Sequence, residues 1–389
     1  MTPQARLATA AELLDAIGAG RPAEQALTTW ARKNRYAGSK DRAAIRDHVF
    51  DVLRRRRSCA ALGGGETGRA LVIGLLRAQG EDPDAWLTGE GYALPPLTAA
   101  ERASGAPPEG NAALDIPDWL APALRESLGA EMPAVAQALR RRAPLFLRWH
   151  EGRTTAPGAI AALAEDGIVA LPHPLAATAL EVTGGARRVR QARAFREGLV
   201  EVQDAASQAV CAALPAGPGT RVLDYCAGGG GKALALAARG AELTAHDADR
   251  GRMADLPARA ARARNAVQIV DTEAFSGLAP FDLVVADVPC SGSGAWRRQV
   301  EAKWRLDAAT LEDLQRRQAE ILDRAAGLVR AGGALAYVTC SLLRAENEDA
   351  VAAFLEARPG WRLETQRRWS PLEGGDGFFL ALMREVGGS

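Results

Sequence analysis

The chain has 389 residues, 48% of them apolar, with a formal net charge of +1 and five cysteines. The length predicts two or three domains with cores of ordinary size, and the balanced charge excludes a global nucleic-acid signature. The sequence has no CxxC pair, no gathered histidines and no apolar run of bilayer length, which argues against a disulfide framework, a structural zinc site and a membrane span.

From the N-terminus, residues 1–80 predict an all-helical domain. Leu7, Leu13, Leu14 and Ile17 fall on one face, and Ile45, Val49, Val52 and Leu53 repeat the pattern before "GGGETG" (Gly63–Gly68) breaks the run. The opening segment carries Arg6, Glu12 and Asp15 and does not read as a signal peptide, so a soluble cytoplasmic protein with reduced thiols is expected. Residues 81–143 hold Pro95, Pro96, Pro107 and Pro108 and predict a connector. Residues 144–214 predict a small α+β module, with strands at "LFLRW", "ALEV" and "LVEVQD" and a short helix at "PGAIAALAEDG". Arginine clusters at Arg54–Arg57, Arg140–Arg142 and Arg187–Arg193 fit either a phosphate track or solvated faces.

Residues 215–389 alternate between short apolar runs and helical patterns. Strands are predicted at Arg221–Tyr225, Glu242–His246, Val267–Val270, Phe281–Ala286, Ala334–Val338 and Phe378–Met383. That alternation predicts an α/β domain with a mostly parallel sheet covered on both faces, whose ligands sit beyond the carboxyl ends of the strands. "DYCAGGGGK" places a glycine loop between a strand and a helix. It is not a phosphate-binding P-loop, because Cys226 stands where the first glycine is required and Ala233 where Ser or Thr is required. The loop suits a nucleoside-type cofactor instead, with Asp247 after the next strand available to a ribose diol. Asp224, Asp247, Asp271 and Asp287 end four consecutive strands, and such a row of like charges calls for a polar ligand. The last of these strands and one further strand, Ala334–Val338, deliver Cys290 and Cys340 to the same edge. Lys232 is one of only four lysines and lies inside the glycine loop.

These motifs, "DYCAGGGGK", "ADVPCSGSGAWRR", "KW" (Lys303, Trp304), "VTCS" and "GGDGFFLALMR", resemble the ordered motifs of the RNA cytosine-C5 methyltransferases. The bacterial Sun/Fmu ribosomal RNA branch is the most similar. "FREGLVEVQDAASQAV" resembles the segment before that family's cofactor loop, and "KDRAAIRDHVFDVLR" is similar to its NusB-like RNA-binding domain. The resemblance implies a Rossmann-like class I methyltransferase sheet over residues 215–389, preceded by a helical NusB-like domain and an RNA-binding α+β module. It implies S-adenosylmethionine as cofactor, held by Asp224, Cys226, Ala227, Gly228, Gly229, Gly230, Gly231, Lys232, Asp247, Arg252, Asp271 and Asp287. It implies Cys340 as the nucleophile that adds to carbon-6 of cytosine, Cys290 as an aid to breakdown of the adduct, and Asp287 as the group that holds or protonates ring nitrogen-3. Lys232 would hydrogen-bond the base or tune a thiol. The implied partner is RNA, 16S ribosomal RNA being favoured, for a monomer that needs neither metal nor membrane. Transfer RNA as the substrate, and a non-catalytic ribosome assembly factor, remain the alternatives. One departure is Gly228-Gly229 where the family carries Ala-Pro, which is expected to loosen the loop.

Overall fold

The structure is a computed structural model that describes residues 1–386, Ser276 by its backbone alone. Packing divides the chain into two units, Met1–Arg142 with Trp296–Arg305, and Ala143–Ala295 with Leu306 onward.

In the first unit the apolar stripes seen in the sequence close on one another. Helices Pro3–Gly18, Ala23–Lys33, Ser39–Arg54, Arg56–Gly63 and Gly68–Gln79 bury Leu7, Leu13, Leu14, Ile45, Val49, Val52 and Leu53. The helices approach closely: a Cβ on Gly74 would stand 1.9 Å from the Cys59 carbonyl oxygen. The stretch expected as a connector is not one. It forms short helices at Pro83–Trp86, Ala99–Ala103, Gly110–Ala113, Ala121–Leu128 and Met132–Leu139 and buries Leu120, Leu124, Met132 and Val135. Pro83, Pro122 and Pro133 occupy first-turn positions, where proline starts a helix rather than breaking it. Segment Trp296–Arg305, expected within the sheet domain, also belongs to this unit. Val300 joins the helical core. Trp304 Nε1 donates to the Leu53 carbonyl at 2.7 Å, and the Glu301 carboxylate accepts from Ala23 N at 2.9 Å, capping that helix.

The second unit holds two sheets. The smaller is antiparallel, built from β1 (Leu145–Trp149), β2 (Val169–Pro172), β3 (Ala179–Gly184) and β4 (Val200–Val202) in the order β2-β3-β1-β4. Leu147, Leu163, Ile168, Leu180 and Val200 form its core against helix Ala156–Glu165. The larger sheet contains β5 (Arg221–Asp224), β6 (Glu242–Ala245), β7 (Val267–Ile269), β8 (Phe281–Asp287), β9 (Val329–Thr339), β10 (Trp361–Trp369) and β11 (Phe378–Glu385). Their order is β10-β11-β9-β8-β5-β6-β7. The strands from β9 to β7 are parallel, and β11 and β10 are antiparallel additions.

Strand periodicity of two sends alternate residues to opposite faces. Leu283 and Val285 join a core with helices Ala205–Ala213 and Gly231–Ala237. Val284 and Ala286 join another with helices Ala308–Ala326 and Glu348–Ala357. A strand buried on both faces has to be apolar throughout, which is why "LVVA" carries no polar residue. The chain runs outward from β5 to β7, then returns to β8 on the other side of β5. The reversal opens a crevice beyond the carboxyl ends of β5 and β8, the place where such sheets hold ligands.

Candidate functional site

The crevice is lined from both sides. On the β5 side Asp224 is 1% exposed; its Oδ2 accepts from Ala233 N at 3.0 Å and its Oδ1 has no partner among the described residues. Burial, reinforced by the Asp287 carboxylate, pushes the Asp224 carboxyl up to about 7. The glycine loop follows. Gly228 and Gly230 have φ of +50° and +77°, and a Cβ on Gly230 would come within 2.2 Å of Leu256 Cδ1. Asp247 serves the loop first: its Oδ2 accepts from Gly228 N at 2.9 Å and pairs with Arg252 at 3.2 Å, and its Oδ1 accepts from Asp249 N at 3.0 Å. Asp271 is exposed and pairs with Arg250 at 2.7 Å. Cys226 and Ala227 are half-buried and pack on opposite cores, Cys226 with its thiol pushed up by burial.

Two features here escape sequence reasoning. Arg259 donates to the Gly229 carbonyl and stands 3.5 Å from Glu201, so a side chain ties down the loop at Gly229. His246 donates from Nδ1 to the Tyr225 carbonyl, which leaves Nε2 to accept from Thr272 Oγ1, both at 2.8 Å. Neither contact has a local signal, since the partners lie about 20 or more residues apart.

A nucleoside-bearing donor fits these residues. Gly231 leaves open backbone, with Gln203 Nε2, 3.9 Å away, the one heavy atom that a Cβ there would approach. The unmet Oδ1 of Asp224 is the kind of group that a polar ligand would satisfy.

On the other side, β8 ends in Asp287, whose Oδ2 accepts from Lys232 Nζ at 2.7 Å. Lys232 is 7% exposed and lies 5.0 Å from the centre of the Phe378 ring. Burial opposes its charge, but the Asp287 carboxylate, together with Cys211 and Asp224, holds the Lys232 pKa above the usual lysine range. Register places Asp287 opposite Val338 on β9, so the turns after the two strands are neighbours. They bring Cys290 and Cys340, 50 residues apart in sequence, to a sulfur–sulfur distance of 3.5 Å. Both thiols are half-buried and free. The hydrogen bond to Cys340, together with burial, pushes the Cys290 thiol well above its ordinary range. The predicted residues thus fall into two groups, a glycine-loop group from β5 and β6 and a thiol–carboxylate–ammonium group from β8 and β9. Lys232 belongs to both.

Comparison with known proteins gives the following. The family model described as 16S rRNA methyltransferase RsmB/F matches residues 211–383, and one described as an RsmF/B-like methyltransferase, ferredoxin-like domain, matches residues 116–188. Ribosomal RNA small subunit methyltransferase B of Xanthomonas campestris is 37% identical over 289 residues, covering 69% of this chain and 66% of the relative. The protein of the same name from Xylella fastidiosa is 34% identical over 290 residues, covering 69% and 67%. The chain spans about two thirds of the length of these relatives, and somewhat less of others, such as 64% of the Vibrio cholerae protein. Among solved structures, the crystal structure of PH0851 superposes with a TM-score of 0.77 at 23% identity, covering 99% of both chains. NSun6 from Pyrococcus horikoshii with SFG gives 0.62 at 18% identity, covering 70% of this chain and 99% of that one. At these identities the superpositions speak to the fold, a Rossmann-like methyltransferase sheet.

Proposed function

The chain belongs to the 16S rRNA methyltransferase RsmB/F family, and from that premise we propose that it methylates carbon-5 of a cytosine in RNA, 16S ribosomal RNA in the first instance. The observation that carries this reading is the pair of sulfurs 3.5 Å apart beside the Lys232–Asp287 ion pair.

Carbon-5 of cytosine is a poor nucleophile. A thiolate that adds to carbon-6 makes carbon-5 enamine-like, and S-adenosylmethionine supplies an electrophilic methyl group on its sulfonium. Cys340 forms the S–C6 bond, and negative charge builds on ring nitrogen-3. The Lys232–Asp287 pair faces that nitrogen, and a proton from the Lys232 ammonium, relayed through Asp287, holds the edge of the ring as the charge builds. After methylation the carbon-5 proton leaves to a base, the C5=C6 double bond re-forms and the Cys340 sulfur departs. Cys290, kept protonated by its surroundings, hydrogen-bonds that sulfur and lowers the charge on it as it leaves. The target base must be out of its stack, at a cost of a few kcal/mol that is least in single-stranded loops. The exposed arginines of the clusters, such as Arg141, Arg142, Arg187, Arg188 and Arg190, and the small antiparallel module would grip the RNA backbone.

A DNA methyltransferase of the cytosine type would use a Pro-Cys thiol as nucleophile and have no need for Cys340. A non-catalytic assembly factor would need neither thiol. The test is transfer from labelled donor into 16S ribosomal RNA, transfer RNA and DNA, followed by nucleoside analysis. Label in 5-methylcytidine from ribosomal RNA is expected. Label in another nucleoside, or none in any nucleic acid, defeats the reading.

A further inference from the structure

Behind the two thiols lies a carboxylate that the mechanism above does not use. Glu346 is fully buried, yet its charge is held by four N–H and O–H donors and by no cation among them. Oε1 accepts from Ser291 N at 2.8 Å and Gln318 Nε2 at 2.9 Å. Oε2 accepts from Ser291 Oγ and Ser341 Oγ, each at 2.5 Å. Ser291 follows Cys290, and Ser341 follows Cys340. The two loops therefore share one acceptor, one residue beyond each sulfur. Each serine also accepts from its own loop: Ser341 Oγ from Leu343 N at 3.0 Å, and Ser291 Oγ from Ser293 N at 3.4 Å. Both hydroxyls donate to Glu346 and lie 3.2 Å apart, with Ser293 Oγ 3.1 Å from Ser291 Oγ and 3.2 Å from Ser341 Oγ. Gly294 N donating to the Cys340 carbonyl at 2.9 Å adds a direct link between the loops.

Burying a carboxylate costs free energy unless the donors around it are complete. Two serines alone could have bonded to each other without a charge. What the carboxylate adds is an acceptor on both oxygens, so all four donors converge and the sulfur–sulfur spacing follows from their geometry.

We propose that Glu346 is a positioning residue that holds the Cys290 and Cys340 loops in register, so that the second thiol stays within hydrogen-bond reach of the nucleophile throughout the reaction. This rests on the cytosine-C5 reading for its purpose, but not for its geometry. The conservative variant Glu346→Gln keeps the volume but replaces one acceptor oxygen by an amide N–H group, which would face a donor of one loop.

The test uses the full chain with two readouts. The first is the rate at which diamide closes a Cys290–Cys340 disulfide, followed by peptide mass mapping; the two thiols lose two hydrogens and the diazene is reduced to a hydrazine. The second is kcat and KM for methyl transfer to RNA. In Glu346→Gln the disulfide should close about tenfold more slowly, and kcat should fall about tenfold or more with KM for RNA within about twofold, as expected when reacting groups are misplaced by a fraction of an ångström. A merely structural role would lower thermal stability and leave both rates of the folded protein unchanged, which overturns the proposal. Should Glu346→Gln fail to fold, Ser341→Ala, which removes one tether, decides in the same way: slower closure supports the proposal and wild-type closure overturns it. If the wild-type chain methylates no cytosine, the functional reading falls, while disulfide closure still judges Glu346.

Discussion

At Asp224 the fold keeps a carboxyl almost out of water with one oxygen unpartnered among the described residues. Its pKa rises from the ordinary 3.8 to about 7, so between those values the folded protein holds a proton that the unfolded chain has released. Stability therefore falls as pH rises from about 4 to about 7, the reverse of a salt-bridged carboxylate. Asp224→Asn retains an acceptor for Ala233 N and removes the ionisation. Its melting temperature should match or exceed the wild type's at pH 8, and the difference between the proteins should shrink towards pH 4, as read by thermal unfolding across pH. A wild-type curve no steeper than the variant's would remove the burial argument. The chemistry-bearing residues were legible because their types are scarce at such places: a lysine in a lysine-poor chain, and thiols at strand exits. Arg259 and Glu346 were not, because their partners lie far away in sequence. Glu346 stands five residues beyond Ser341 but 55 beyond Ser291, and only the register of β8 with β9 brings the two loops together.

At the scale of elements, an apolar run reports a buried strand and nothing reports an exposed one. All six predicted strands of the larger sheet exist, with β9 beginning earlier, at Val329. The seventh, β10, escaped because the few apolar residues of "WRLETQRRW" are separated by Arg362, Glu364, Arg367 and Arg368 and form no apolar run. It is an edge strand that pairs with β11 alone, and all but its ends are exposed. Charged edges resist pairing with other chains, which is the physical sense of that composition. Trp369 is what fixes the strand to the core: it is 1% exposed, and the Arg367 guanidinium lies 4.7 Å from its ring centre. Trp369→Ala should cost about 3–5 kcal/mol of stability in urea unfolding, the usual range for truncating a buried aromatic. A loss under about 1 kcal/mol would show that β10 is held by its backbone pairing instead. Proline content misled in the opposite direction. Pro95, Pro96, Pro107 and Pro108, which marked the stretch as a connector, lie between short helices, while Pro83, Pro122 and Pro133 stand in the first turns of helices there.

Across the whole molecule, a net charge of +1 hides how the functional groups are distributed. The sheet-bearing unit contains the glycine loop, the ion pair and both thiols, whereas the helical unit takes in residues 296–305, which follow the Cys290 loop along the chain. The central claim is that Cys340 attacks the base and Cys290 assists its release. The account depends on the 3.5 Å contact, because only neighbouring sulfurs can divide that work. The most direct measurement is to incubate Cys290→Ala with donor and RNA, digest, and identify by mass spectrometry which peptide carries the nucleotide. The account predicts an adduct that accumulates on the Cys340 peptide and is missing from Cys340→Ala. A nucleotide found on the Cys290 peptide of the wild-type protein or of Cys340→Ala, or full turnover by Cys340→Ala, would contradict it.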